Sequence, residues 1–148
     1  EVLHDGSYYT GDIGRIEDGH LFVVGRKGDI IIVGGSVVHA GEIEEVLRKN
    51  PAVKDAAVTP VPNNFVGQII KATVVLMDDK IGEKLKSDDK SQVREAQRQL
   101  TAQFKAYCEE HLTRYQRPLK WEFRDPHDSL PKTLAGKVDK RRISEPES

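Results

Sequence analysis

Nine residues near the middle of the chain constrain its fold most: Ile69-Ile70-Lys71-Ala72-Thr73-Val74-Val75-Leu76-Met77. They are almost all apolar and rich in β-branched side chains. A strand with one wet face alternates polar and apolar residues. This run does not, so it is expected to lie centrally in a sheet, covered on both faces. A second apolar-rich run, Val53–Val61, precedes it across a loop holding Pro62, Asn63, Asn64 and Gly67, which makes the two adjacent strands.

Other elements group around this pair. Ile13–Glu17 and Leu21–Val24 flank Asp18-Gly19, a tight hairpin signal. Ile30–Val33 and Val37-Val38 flank Gly34-Gly35-Ser36, a second hairpin. Ala40–Lys49 reads as a helix with Ile43, Val46 and Leu47 on one face, and Asn50-Pro51 ends it. Glu42, Glu44 and Glu45 crowd its first turns, where the helix dipole favours carboxylates; the Gly41–Glu44 segment reads as mostly structural. Asp78–Lys90, rich in Lys and Asp, reads as an exposed connection. Ser91–Leu112 reads as a long helix burying Val93, Ala96, Leu100, Phe104, Tyr107 and Cys108. Leu119, Trp121 and Phe123 alternate with Lys120 and Glu122 as a strand with one wet face, and a short helix is expected from Asp139. The expected fold is α+β: a two-stranded hairpin followed by a small mixed three-stranded sheet flanked by helices.

With 148 residues there is room for one domain with a core, or one domain and a fragment of another. The formal net charge of −1 gives no global attraction to nucleic acid, and no apolar run approaches membrane-spanning length. The lone Cys108 excludes an internal disulfide and fits a reducing cytosol, so a cytoplasmic location is expected. The chain opens on Glu1, and is expected to be a piece of a longer protein. The five histidines show no metal-ligand spacing, no Ser-His-Asp arrangement is legible, and Cys108 falls on the core face of its helix.

Five places can carry chemistry. In Thr10-Gly11-Asp12 the aspartate either accepts two hydrogen bonds from a vicinal diol or caps a strand. In Gly25-Arg26-Lys27-Gly28-Asp29 the Arg26 fork either reaches ribose or phosphate oxygens or pairs with a surface carboxylate. Gly34 and Gly35 either let a narrow ligand lie against their backbone or supply positive φ to a turn, and the two roles can coexist. In Pro131-Lys132-Thr133-Leu134-Ala135-Gly136-Lys137-Val138-Asp139, Lys137 is either a cation brought to an anionic centre or a solvated surface lysine. Lys140, Arg141 and Arg142 either meet phosphates or form a solvated helix face. Tyr115-Gln116-Arg117-Pro118 reads as a structural corner.

In their order and spacing these segments resemble the carboxyl-terminal part of the adenylate-forming (AMP-binding) enzymes, most closely the acyl-CoA synthetases. The resemblance covers nearly the whole chain, with a weak region between about Asp78 and Thr101. It implies a tail of the large adenylate-binding domain over residues 1–27 and a mobile lid over 28–148. It implies that Asp12 and Arg26 hold the ribose of ATP, and that Lys137 is the adenylation lysine. Gly28, with Asp29 following, stands where the family has its hinge, and glycine can absorb a rotation. The Gly34-Gly35 hairpin would line the pantetheine tunnel. The implied parent is a ligase that joins a carboxylic acid to CoA with ATP and Mg2+, its partner being its own large amino-terminal domain. The isolated chain, lacking that domain's phosphate loop, would be inactive and would hold none of these ligands stably. Alternatives are a peptide-synthetase adenylation domain or fatty-acyl-AMP ligase with a carrier-protein acceptor, or a non-catalytic regulatory module of the same fold.

Overall fold

Positive backbone angles at Asp18 (φ 49°) and Gly19 (φ 79°) close the first hairpin, as a type I′ turn requires. In this computed structural model residues 3–4, 7–8, 12–26 and 29–144 are described. Contacts divide the chain into two units, residues 1–30 and 31–148. The first holds β1 (Leu3–His4) paired antiparallel with β2 (Ser7–Tyr8), and β3 (Asp12–Glu17) paired antiparallel with β4 (His20–Arg26). The β3–β4 register runs from Glu17↔His20 at the turn to Asp12↔Arg26 at the open end, with a shift at Ile13/Gly14.

The second unit is built on β8 (Gly67–Leu76), the apolar run. β7 (Val53–Asn63) lies antiparallel along one edge, from Val53↔Leu76 to Asn63↔Gly67. The other edge is shared. β5 (Ile30–Val33) meets its beginning through Val33↔Gly67, and β9 (Lys120–Arg124) runs parallel to it from Lys71↔Lys120 to Val75↔Arg124. β6 (Ser36–His39) pairs with β5 on the outside. The mixed β7–β8–β9 group is the three-stranded sheet expected from sequence. The β5–β6 hairpin extends it to five strands, because Gly34 N–H donates to Val66 O (3.0 Å) and Ile32 N–H to Gln68 Oε1 (2.9 Å).

Alternation along the strands sends two sets of side chains to two faces. On one, Ala56 and Val58 of β7, Ile70, Ala72, Val74 and Leu76 of β8, and Trp121 and Phe123 of β9 pack beneath two helices. These are α1 (Ala40–Arg48), through Ile43 and Leu47, and α3 (Lys90–His111), through Leu100, Phe104 and Cys108. The Phe104 ring sits 5.7 Å from Trp121 and 5.5 Å from Phe123. On the other face Ala57 and Val75 are covered by Leu130, Val138 and Ile143, the last from α4 (Lys140–Ser144). No helix among the described residues is long and apolar enough to cross a membrane.

Two expectations are corrected. The Asp78–Lys90 stretch is not simply an exposed connection: it contains α2 (Asp79–Leu85), capped by Asp78, whose side chain accepts from Lys80 N–H (2.8 Å). Ile81 and Leu85 are half-buried against the core, and Gly82 is buried because the Asp125–Pro126 corner leaves no room for a Cβ. Leu119 does not share the buried face of Trp121 and Phe123. The strand begins at Lys120, and Leu119 stands exposed after the buried Pro118.

Candidate functional site

The Pro131–Asp139 motif folds into a small hairpin on the α4 face of the sheet. Lys132 and Val138 form an antiparallel bridge, and Asp139 N–H donates to Pro131 O (2.8 Å). Gly136 N–H donates to Thr133 O (2.9 Å) and Thr133 N–H to Lys137 O (2.7 Å). Gly136 takes φ 79°, with open space where a Cβ would point, so the turn conformation and not crowding demands glycine there. Leu130 and Val138 pin the legs to the sheet, while Leu134, Ala135, Gly136 and Lys137 are exposed at the tip. Lys137 makes no ion pair among the described residues.

What holds the far leg is a contact that sequence reasoning missed. Glu44 of α1 is buried, and its Oε1 accepts from Val58 N–H (2.9 Å) and from Lys140 Nζ (2.7 Å). Lys140 follows the hairpin directly, so one carboxylate joins α1, β7 and the start of α4. Within the basic cluster, then, Lys140 serves as an anchor, whereas Arg141 and Arg142 are exposed. The only local signal was a carboxylate on the edge of the apolar face of α1. Glu42 stays near the surface and accepts from Gln116 Nε2 (2.9 Å).

The β9 strand puts a polar group beside this hairpin's face. Burial pushes the Glu122 carboxyl up, but hydrogen bonds and charge from Lys71 and Arg124 outweigh it and hold the group below the ordinary range. Cys108 is buried and its thiol is pushed up to about 11, which leaves it protonated and non-nucleophilic at neutral pH.

Gly34 (φ 56°) and Gly35 (φ 84°) form the tip of the β5–β6 hairpin, both exposed, with nothing within 4 Å of either would-be Cβ. Their positive φ angles satisfy the turn role; their outer side is open. Ile32, Val37, Phe65 and Val66, on this hairpin and the neighbouring β7–β8 loop, are all exposed apolar side chains. The glycine hairpin meets β8 at Gly67, and the lysine hairpin packs at Val75. Eight residue steps of strand separate those points, roughly 26 Å at ~3.3 Å per residue.

The ribose candidates belong to the other unit, where Asp12 and Arg26 are backbone register partners. Gly28 lies outside the described residues, as do Tyr9, Thr10, Gly11 and Lys27; Asp29 is half-buried beside β5. A cavity of about 580 Å³ between α3 and β9, lined by Arg98, Lys105 and Trp121 among others, faces away from the lysine hairpin. Among the described residues no group of three or more His, Cys, Asp or Glu is arranged to hold a metal.

Comparison with known proteins places this geometry in context. Residues 42–137 match the family described as AMP-binding enzyme C-terminal domain. The chain is 36% identical over 148 residues to the long-chain-fatty-acid–CoA ligase of Bacillus subtilis, covering 99% of this chain and 23% of that protein. It is 35% identical over 144 residues to the 2-succinylbenzoate–CoA ligase of Geobacillus kaustophilus, covering 97% and 25%. Among solved structures, o-succinylbenzoate CoA synthetase of Bacillus subtilis with its acyl-adenylate intermediate superposes with TM-score 0.68 at 26% identity, over 98% of this chain and 26% of that one. The chain thus spans about a quarter of the length of the curated relatives it matches.

Proposed function

The chain belongs to the AMP-binding enzyme C-terminal domain family, and from that premise we propose that it is the mobile lid of an ATP-dependent carboxylic acid–CoA ligase. Residues 1–27 are the tail of a large amino-terminal domain and residues 28–148 the lid, with Gly28 and Asp29 as the hinge. Asp12 accepts from the ribose hydroxyls of the nucleotide, and Arg26 donates to the same sugar.

In the first half-reaction a substrate carboxylate oxygen attacks the α-phosphorus of ATP. The new acyl–O–P bond forms, the bond to the β-phosphate oxygen breaks, and pyrophosphate leaves. Two anions approach and charge builds on the phosphoryl oxygens, so a cation placed there lowers the barrier. Lys137 is that cation. The observation that carries this role is its position: exposed, without an ion pair among the described residues, at the tip of a hairpin whose legs are fixed by Leu130, Val138 and the Glu44–Lys140 pair. In the second half-reaction the lid turns about Gly28, Lys137 withdraws, and the Gly34-Gly35 hairpin comes to the thiol channel. The CoA sulfur attacks the acyl carbonyl and AMP leaves. The exposed Ile32, Val37, Phe65 and Val66 suit the apolar stretches of a pantetheine arm. Separation of the two hairpins along β8 supports a device that shows one face per step. Mg2+ would reach the reaction with ATP; the described residues of this chain do not fit a metal site.

The test is an assay of the full-length parent with ATP, CoA and a panel of carboxylic acids, following pyrophosphate and thioester. Formation of both from at least one acid is expected, and none from the isolated 148-residue chain. Steady ATP-dependent thioester formation by the isolated chain would overturn the lid assignment.

A further inference from the structure

Beneath the lysine hairpin lies a basin of about 560 Å³ lined by Arg124, Ser129, Leu130, Pro131, Lys132 and Arg142. Three of the six are cations and none is a carboxylate. Arg124 Nε is held by Glu122 Oε1 (2.8 Å), which sets the guanidinium plane while its two Nη atoms have no acceptor among the described residues. Lys132 and Arg142 make no ion pair among those residues. Glu122 is shared between Arg124 and Lys71, so it offsets only part of the charge around the hollow, and Lys132 and Arg142 leave the basin net positive. A single anion in the basin offsets that excess. The donors present suit a tetrahedral dianion: a guanidinium fork, a second guanidinium, an ammonium and the Ser129 hydroxyl. Leu130 and Pro131 supply the apolar part of the lining.

The three cations come from three pieces of chain. Arg124 is on β9, Lys132 is in the leading leg of the lysine hairpin, and Arg142 is in α4 beyond the trailing leg. An anion touching all three ties both legs to the sheet. We propose that this basin is a phosphate-binding site, distinct from Lys137, and that a phosphate group held there steadies the lysine hairpin. The inference rests on the basin alone and stands apart from the ligase reading. The phosphate is either free inorganic phosphate or one carried by a nucleotide.

The 15N-labelled chain, titrated with sodium phosphate at constant ionic strength against sodium chloride, tests this. Saturable shifts are expected at the amides of Ser129, Leu130 and Lys132 and at Arg124 Nε–H. Hydrogen exchange should slow at the hairpin amides of Thr133, Gly136 and Asp139, because a ligand that binds only the closed form protects it. Lys132→Gln and Arg142→Gln, both at exposed positions, should each weaken binding roughly tenfold. A parallel titration with adenosine 3′,5′-bisphosphate separates the sources: tighter binding than inorganic phosphate marks a nucleotide-borne group, and equal binding marks the phosphate alone. Shifts that chloride reproduces, that fail to saturate, or that persist undiminished in the double variant would overturn the proposal.

Discussion

Replacing Glu44 by alanine removes the one carboxylate that ties α1 and β7 to the segment following Lys137. Its side chain is 10% exposed and that of Lys140 22%, so the pair works largely out of water. Two losses combine. Val58 N–H, buried on the edge strand β7, loses its acceptor, and an unsatisfied buried donor costs about 1–3 kcal/mol. Lys140 loses its short contact with the carboxylate, and a hydrogen bond to a charged group is worth about 1.5–3 kcal/mol. Lost together at one site, they are expected to cost about 3–5 kcal/mol, which for a chain of this size lowers Tm by about 10 °C. Glu44→Gln keeps an acceptor for Val58 and should cost less. Trp121 is the only tryptophan and sits against Phe104 and Phe123, so urea unfolding followed by its fluorescence reads the main core. A cycle with Lys140→Met should give a coupling of about 1–3 kcal/mol. If Glu44→Ala lies within about 1 kcal/mol of the parent, or the coupling vanishes, the anchoring argument is wrong.

Three further outcomes can be checked on the isolated chain. Gly82→Ala would bring a Cβ to 2.6 Å from Asp125 Cβ and 3.0 Å from Pro126 Cδ, so it should destabilise by about 1–2 kcal/mol despite the better helix propensity of alanine; a gain in urea stability would contradict the packing of α2. At Gly34, φ 56° suits asparagine before glycine, so Gly34→Asn should stay within about 0.5 kcal/mol of the parent while Gly34→Val costs about 1–2 kcal/mol; equal losses would refute the turn assignment. Asp125 is held below its ordinary 3.8 by the Lys86 side chain and then by His127 N–H, and Lys86 is raised above 10.5 mainly by Asp125. The depressed carboxyl stabilises above 3.8 and loses that effect as pH falls through its lower folded value; the raised ammonium stabilises below 10.5 and loses it as pH climbs through its higher one. The stability gap between the parent and Lys86→Met should therefore hold steady inside that window and narrow beyond both ends, and a gap that ignores pH would count against the pair.

Much of this was legible because local and tertiary demands coincide. β8 is nearly all apolar because both faces are covered, and α3 shows its stripe because Leu100, Phe104 and Cys108 meet the sheet. Asp18-Gly19 and Gly34-Gly35 announce turns because each pair takes positive φ at both residues. Where signals failed, the cause was long-range. α2 shows only Ile81 and Leu85 as apolar residues among two lysines, an aspartate and a glutamate, and its Gly82, a poor helix former, is explained by a corner over forty residues away. The β5–β6 hairpin joins the sheet through a single register pair and two hydrogen bonds that no periodicity encodes. Glu44 and Lys140 each look like surface charges until the fold brings them to 2.7 Å. The lysine motif was readable as a motif, whereas the basin beneath it emerged only once β9, the hairpin and α4 were placed together.

The central claim is that Lys137 serves one half-reaction and not the other. Single-turnover measurement of both steps in the full-length parent and its Lys137→Ala variant tests it most directly. Adenylation, read as pyrophosphate release, should fall by roughly 10²–10³-fold, the effect of removing one preorganised charge-stabilising donor. Thioester formation from pre-made acyl-adenylate and CoA should stay close to the parent rate. An equal loss in both steps, or an unchanged adenylation rate, would contradict the account.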